Sequence, residues 1–237
     1  MSRTKDYYIV IDTETCPIDR TIKGCDKNNG FVYDCGWAVI DRNGNIYKTA
    51  SFVNSDIFFE KALMTSAYYK SKIPNYWEDI KNGSRVLTSL YSIRQALNSD
   101  IKEYNVKRIY AFNHPFDVAV LNRTVRWVTK SKIRYFYPYG IEIHDIMKSA
   151  RQILAKSRNY KKFCEDNNYL TKNNRPNCKA ETIYRYITKN NDFVESHTGL
   201  EDVLIEAEIL KTCFKRHKKM NTKIYWEKAW QPFFFML

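Results

Sequence analysis

Acidic residues are in short supply in this chain: 26 Asp and Glu stand against 39 Lys and Arg, a formal net charge of +13 over 237 residues. Glycine and proline are also scarce, at 7 and 6, which excludes collagen-like and linker-dominated architectures. No internal repeat is visible. No apolar run approaches the roughly 18–20 residues needed to cross a bilayer. Near the N-terminus, Tyr7–Ile11 is apolar but runs straight into acids, so neither a signal sequence nor a membrane partner is expected. Cysteine occurs six times (16, 25, 35, 164, 178 and 213) without a Cys-x-x-Cys pair, and the histidines at 114, 144, 197 and 217 are scattered. Reduced, buried thiols are therefore expected, with a zinc cluster of Cys16, Cys25 and Cys35 as the weaker alternative.

Hydrophobic residues, at 44%, and aromatic residues, at 15%, are abundant enough to build a core. An isoelectric point near 9.3 points to an anionic partner, most commonly nucleic acid. Lysine is accompanied here by Asn, Ile, Tyr and Phe, the residues an AT-rich phage or bacterial genome favours. Charge alone therefore does not decide.

Asp6–Thr13 reads as a buried strand, Phe31–Ile40 as a second and Ile46–Val53 as a third, with Asn43-Gly44 turning the hairpin between the last two. Ser55–Asn82 is helical or irregular, and Val86–Asn98 has helical spacing. Arg108–Phe112 is a short strand, followed by a helix over Phe116–Thr129 that Asn113 is placed to cap. Further strands are expected at Arg134–Tyr137 and Glu142–His144, and helices at Ile146–Lys156, Glu181–Thr188 and Leu200–Phe214. A hairpin meander followed by alternating strands and helices predicts an α/β fold, an RNase-H-like mixed five-stranded sheet flanked by helices. The domain is expected to span 1–214, with 215–237 as a basic and aromatic tail.

Several acids stand where a core pattern would not put them. Asp12 and Glu14 end the first strand, and residues i and i+2 on a strand share a face about 6–7 Å apart. Two like charges that close repel, and a divalent cation relieves the repulsion. Asp117 sits in the first turn of a helix beside Phe116 and Val118, where a dipole or capping role explains it equally well. His197 in a loop and Asp202 in the first turns of the last helix can aim at one point above the sheet. Glu201, Glu206 and Glu208 read as solvated or dipole-favoured acids, and Asp145 as the N-cap of its helix.

Three motifs stand in order: Ile11-Asp12-Thr13-Glu14-Thr15, then Ala111-Phe112-Asn113-His114-Pro115-Phe116-Asp117, then His197 through Asp202. Together they resemble the DEDDh branch of the 3′–5′ exonucleases, the superfamily of polymerase proofreading subunits, oligoribonuclease and ribonuclease T. The resemblance spans roughly residues 6–214. Gly199 and Val203 depart mildly from it, and Lys156–Asn191 is longer than a minimal member needs.

The resemblance implies two divalent ions, Mg²⁺ or Mn²⁺. Asp12 would be shared between them, Glu14 and Asp202 would complete the first site, and Asp117 would serve the second. His197 would be the general base, and nucleoside 5′-monophosphates would leave the 3′ end of single-stranded DNA, or of RNA as the alternative. A catalytically silent nucleic-acid-binding module is the competing reading. By the resemblance, Thr15, Asn113 and Phe116 are candidate contacts to the terminal nucleotide, with a structural turn role as the equal alternative for Thr15. Candidates to draw in the strand are Lys130, Lys132 and Arg134 with the run Tyr135-Phe136-Tyr137, then Arg158, Lys161 and Lys162, and finally Lys215–Lys219. The tail, with Trp226, Trp230 and Phe233–Leu237, either packs on the domain or docks a polymerase or other replication partner. A cytoplasmic location is expected.

Overall fold

The computed structural model describes residues 5–18, 25–67 and 69–216. The expectations for His217, Lys218, Lys219 and the tail through Leu237 lie outside them. Strands β1 (Tyr7–Cys16), β2 (Phe31–Asp41), β3 (Ile46–Asn54), β4 (Val86–Thr88), β5 (Arg108–Ala111) and β6 (Glu142–Asp145) form one sheet in the order β4-β3-β2-β1-β5-β6. The β1–β2–β3 meander is antiparallel, and β4, β5 and β6 pair parallel to their neighbours. The mixed sheet expected from the sequence is present, with one strand more than the five anticipated. That extra strand, β4, occupies the start of a stretch with helical spacing. Ser89 ends it by capping the next helix, its side chain accepting the Ser92 N–H at 3.2 Å.

Short helices α1 (Ser55–Phe58) and α2 (Lys61–Met64), a 3₁₀ turn at Lys70–Lys72 and helix α3 (Ile73–Asn82) fill the connection from β3 to β4. Helices α4 (Leu90–Glu103) and α5 (His114–Thr129) flank β5 in sequence. Then α6 (Ile146–Ile153), α7 (Arg158–Asp166), α8 (Ala180–Thr188) and α9 (Gly199–Arg216) complete the described chain. Side chains alternate across a strand, so β1 serves two cores. Ile9 and Ile11 pack with α4 and α5 on one face. Tyr8 and Val10 pack with α6, α8 and α9 on the other. Every residue of β2 is buried, as a central strand covered on both faces requires.

Two expectations need correction. Arg134–Tyr137 is not a strand. Its backbone is satisfied by side chains instead: Asn122 accepts the Phe136 N–H at 2.8 Å, Arg94 donates to the Phe136 carbonyl at 2.7 Å, and Arg126 donates to the Arg134 carbonyl at 3.0 Å. Helix α7 occupies a stretch whose polarity gives no helical signal. Its charges face outward, while Tyr160 and Cys164, one turn apart, are fully buried. All six cysteines are free thiols, and none joins a metal-ligand cluster among the described residues. No described helix is long and apolar enough to cross a membrane.

Candidate active site

Strand β1 does not stop at its acids but continues to Cys16, so Asp12 and Glu14 share one face inside regular structure. They line a cleft of about 1060 Å³ together with Asn113, His197, Asp202 and Glu206. One oxygen each from Asp12, Glu14 and Asp202 lie within 4.8 Å of one another, and so do ligand atoms of Glu195, His197 and Asp202. Asp202 therefore belongs to both groups.

The start of α9 is fixed by the strand beside β1. Asp34, paired across from Glu14 on β2, accepts the Gly199 N–H at 3.0 Å, the Tyr76 hydroxyl at 2.6 Å and the Arg85 guanidinium at 2.9 Å. This carboxylate is wholly buried and fully partnered. Backbone meets backbone at the same place: a Cβ on Gly36 would lie 2.4 Å from the Leu200 nitrogen. His197 takes a left-handed φ of 53°, which turns the chain into α9. Its ring stacks on Tyr69 at 4.7 Å, and Lys72 donates to its carbonyl at 3.4 Å.

Asp117 is placed differently from the other acids. It is buried, and its carboxylate accepts the Thr13 hydroxyl at 2.8 Å. Thr13 points to the side of β1 opposite Asp12. Asp117 is not among the residues lining the cleft, though its charge is felt by Asp12. Asn113 lines the cleft but does not cap α5 with its side chain; it adopts φ 63° and donates its N–H to Asp145 at 3.1 Å. Asp145 is the expected N-cap of α6, accepting from Met147 and Lys148. Thr15 is buried at the bulge that follows Glu14, and Phe116 packs against the core. Neither they nor Arg134 and Tyr135 line the cleft.

Two functional candidates stand outside the three motifs. Glu206, expected as a solvated acid, is 3% exposed, lines the cleft and accepts the Phe112 N–H at 3.1 Å. The signal available was its spacing: four residues past Asp202, it sits on the same face of α9. Glu195, two residues before His197, carries no comparable signal. The long stretch after α6 also has a place, since residues 171 and 173 through 180 wall the cleft, apart from 174, and bring Arg175 and Lys179 to it together with Arg151 of α6.

Electrostatics single out these acids. Burial, and then the charges of Asp117, Asp34 and Glu195, push the Asp12 carboxyl well above the ordinary range. Burial, Asp12 and Asp202 do the same to Glu14. Asp202 is raised to about 8 by burial, Asp12 and Glu195. Glu206 is raised by burial and by Asp12, Asp117 and Asp202. Burial followed by Lys72 holds His197 below its usual value. A ring of close carboxylate oxygens without matching cations fits a hard divalent ion, which prefers such donors and removes their mutual repulsion.

No protein-family model and no curated protein matches the chain. Solved structures share its fold. The zinc-bound complex of E. coli exonuclease I with single-stranded DNA superposes with a TM-score of 0.54 at 14% identity, over 90% of this chain and 42% of that one. Exonuclease I without ligand gives 0.52 at 14%, over 90% and 43%. The enzyme from Methylocaldum szegediense gives 0.51 at 14%, over 90% and 41%. The chain thus spans about two fifths of the length of these exonuclease I chains.

Proposed function

We propose that this chain is a metal-dependent 3′–5′ exonuclease releasing nucleoside 5′-monophosphates from single-stranded ends, with DNA preferred over RNA. The observation that carries the reading is the meeting of Asp12, Glu14 and Asp202 oxygens within 4.8 Å, with His197 and Glu195 gathered on the same Asp202. The catalytic unit is residues 1–214. The choice of DNA leans on the shared fold with an exonuclease I bound to single-stranded DNA. Six free thiols agree with a reducing, cytoplasmic setting.

In this reading Asp12, Glu14 and Asp202 would hold divalent metal, while Asp117, absent from the cleft lining, would act on it only through its charge on Asp12. Such ions would neutralise charge on the scissile phosphate and acidify a bound water. The His197 imidazole, neutral because its burial and Lys72 disfavour the cation, takes the proton of the attacking water. Stacking on Tyr69 orients the ring. Arg151, Arg175 and Lys179, which line the same cleft, would meet the phosphates of the entering strand.

The test uses end-labelled single-stranded DNA and RNA with Mg²⁺, Mn²⁺ or chelator. The expected result is a ladder shortening from the 3′ end, abolished by chelation and by Asp12→Ala. His197→Ala loses about 10²–10⁴-fold in rate, the usual contribution of a general base. Undiminished digestion by Asp12→Ala would refute the assignment, and oligonucleotide binding without any cleavage would favour a silent binding module.

A further inference from the structure

A second concave surface lies beyond the acidic cleft, on the outer side of α5. It encloses about 650 Å³ and is lined by Lys27, Arg123, Arg126, Lys130 and Lys132, with Trp127 and Phe31 as its aromatic wall. Among the described residues, no acid lines it. Among those same residues, Arg123, Arg126, Lys130 and Lys132 have no carboxylate partner. The Arg123 Nε and the Asn122 Nδ2 are buried without a hydrogen-bond acceptor. Trp127 remains 36% exposed while its ring packs against Phe31 at 5.1 Å and under Lys130 at 4.7 Å.

Like charges gathered without described counter-charges repel one another, and orphaned buried donors are costly. An anion removes the repulsion. An aromatic platform among cations is the combination that binds single strands, with phosphates on the basic groups and a base against the ring. Position allows it: Phe31 of the hollow pairs with Cys16, two residues past Glu14, so a bound single strand would pass round the end of β1 from the face of the acids to the face of α5. Ile18, just past the end of β1, forms part of its rim.

We propose that this hollow is a second nucleic-acid site, holding the phosphates and one base of the same strand whose 3′ end enters the acidic cleft. It rests on the exonuclease reading for the direction of the strand, but not for the binding itself. Short oligonucleotides would occupy the cleft alone, and longer ones would reach both surfaces.

Binding is measured without turnover, by fluorescence anisotropy of labelled single-stranded oligonucleotides of increasing length in chelator, on the full chain. For Lys130→Glu/Lys132→Glu, the affinity for long oligonucleotides is expected to fall at least tenfold, with a smaller loss for short ones. The slope of log affinity against log salt should shrink by about 0.7 for each phosphate of a single strand that the variant no longer neutralises. Trp127→Leu keeps the packing on Phe31 and should weaken long-strand binding alone. Indole fluorescence of the wild-type chain, compared with Trp127→Leu, should change with long oligonucleotide and not with millimolar inorganic phosphate. A response to phosphate alone would make this a small-anion site and overturn the proposal. Equal losses at every length, or none, would overturn it too. Length-dependent binding in a chain that cleaves nothing would leave this site standing while the exonuclease reading fell.

Discussion

Two sets of buried carboxylates lie next to each other and behave in opposite ways. Asp34 is enclosed by the Arg85 guanidinium, the Tyr76 hydroxyl and the Gly199 N–H, so its charge is answered on every side. One strand over, Asp12 and Glu14 face Asp202 and Glu206 with no described cation paired to them, and each is pushed above the ordinary carboxylate range. Burial is common to both sets, so burial is not what marks chemistry. The missing counter-charge is. Asp34 builds the scaffold, and its neighbours offer the donor set that a hard divalent ion prefers.

The largest expected effect is on the scaffold side. Asp34→Ala leaves the buried Arg85 guanidinium with Asp79 as its one carboxylate among the described residues and strands the Tyr76 hydroxyl and Gly199 N–H, and should cost about 3–5 kcal/mol in urea unfolding. A loss below about 1 kcal/mol would show that the pairing contributes little more than an exposed one.

The cleft side should respond with the opposite sign. Asp12→Asn removes one of several crowded charges, so in chelator it should raise the unfolding midpoint while abolishing the further rise that Mn²⁺ gives the wild type. Asp12 keeps an edge toward the cleft, so the gain is modest. A destabilised Asn variant would mean that the Asp12 charge is already answered.

A pH series sharpens the contrast. Folded-state values raised above the unfolded ones mean the folded chain binds more protons at neutral pH. That stability is full below about pH 4 and is lost as pH rises through the folded values, Asp202 near 8 among them. The metal-free midpoint should therefore decline from pH 6 to pH 9, and Mg²⁺ or Mn²⁺ should flatten the decline. A metal-free midpoint that climbs over this range would contradict the assignment.

The smallest effect is expected from Glu206→Gln. The amide oxygen can still accept the Phe112 N–H, while the charge facing the cleft is gone. Divalent-ion affinity by calorimetry should fall about tenfold, as for a group supporting metal ligands, with the midpoint in chelator nearly unchanged. Unaltered affinity would make Glu206 a packing residue.

Much of this arrangement was legible in the sequence, for identifiable reasons. Alternation located β1, β2 and β3, and the Asn43-Gly44 turn fixed the hairpin register. The Asp12, Glu14 and Asp202 grouping, with His197 close by, followed from strand and helix spacing together with the family resemblance. What stayed hidden depended on tertiary packing. Glu206 looked like any helical acid until α9 was laid on the sheet. Arg134–Tyr137 had strand composition, but Asn122, Arg94 and Arg126 claimed its backbone. Asp117 stood in the right motif, and only the fold tied its carboxylate to the Thr13 hydroxyl and kept it out of the cleft lining.

The close approach of Gly36 to the first turn of α9 carries a last consequence. Because main chain touches main chain there, the gap between the β1 acids and Asp202 is ruled by peptide geometry and not by the bulk of any packed side chain. Cores on either side can drift through generations of substitution without widening that gap. A measure written in backbone atoms outlasts the residues around it, which is one physical route by which chains sharing 14% identity retain a common architecture.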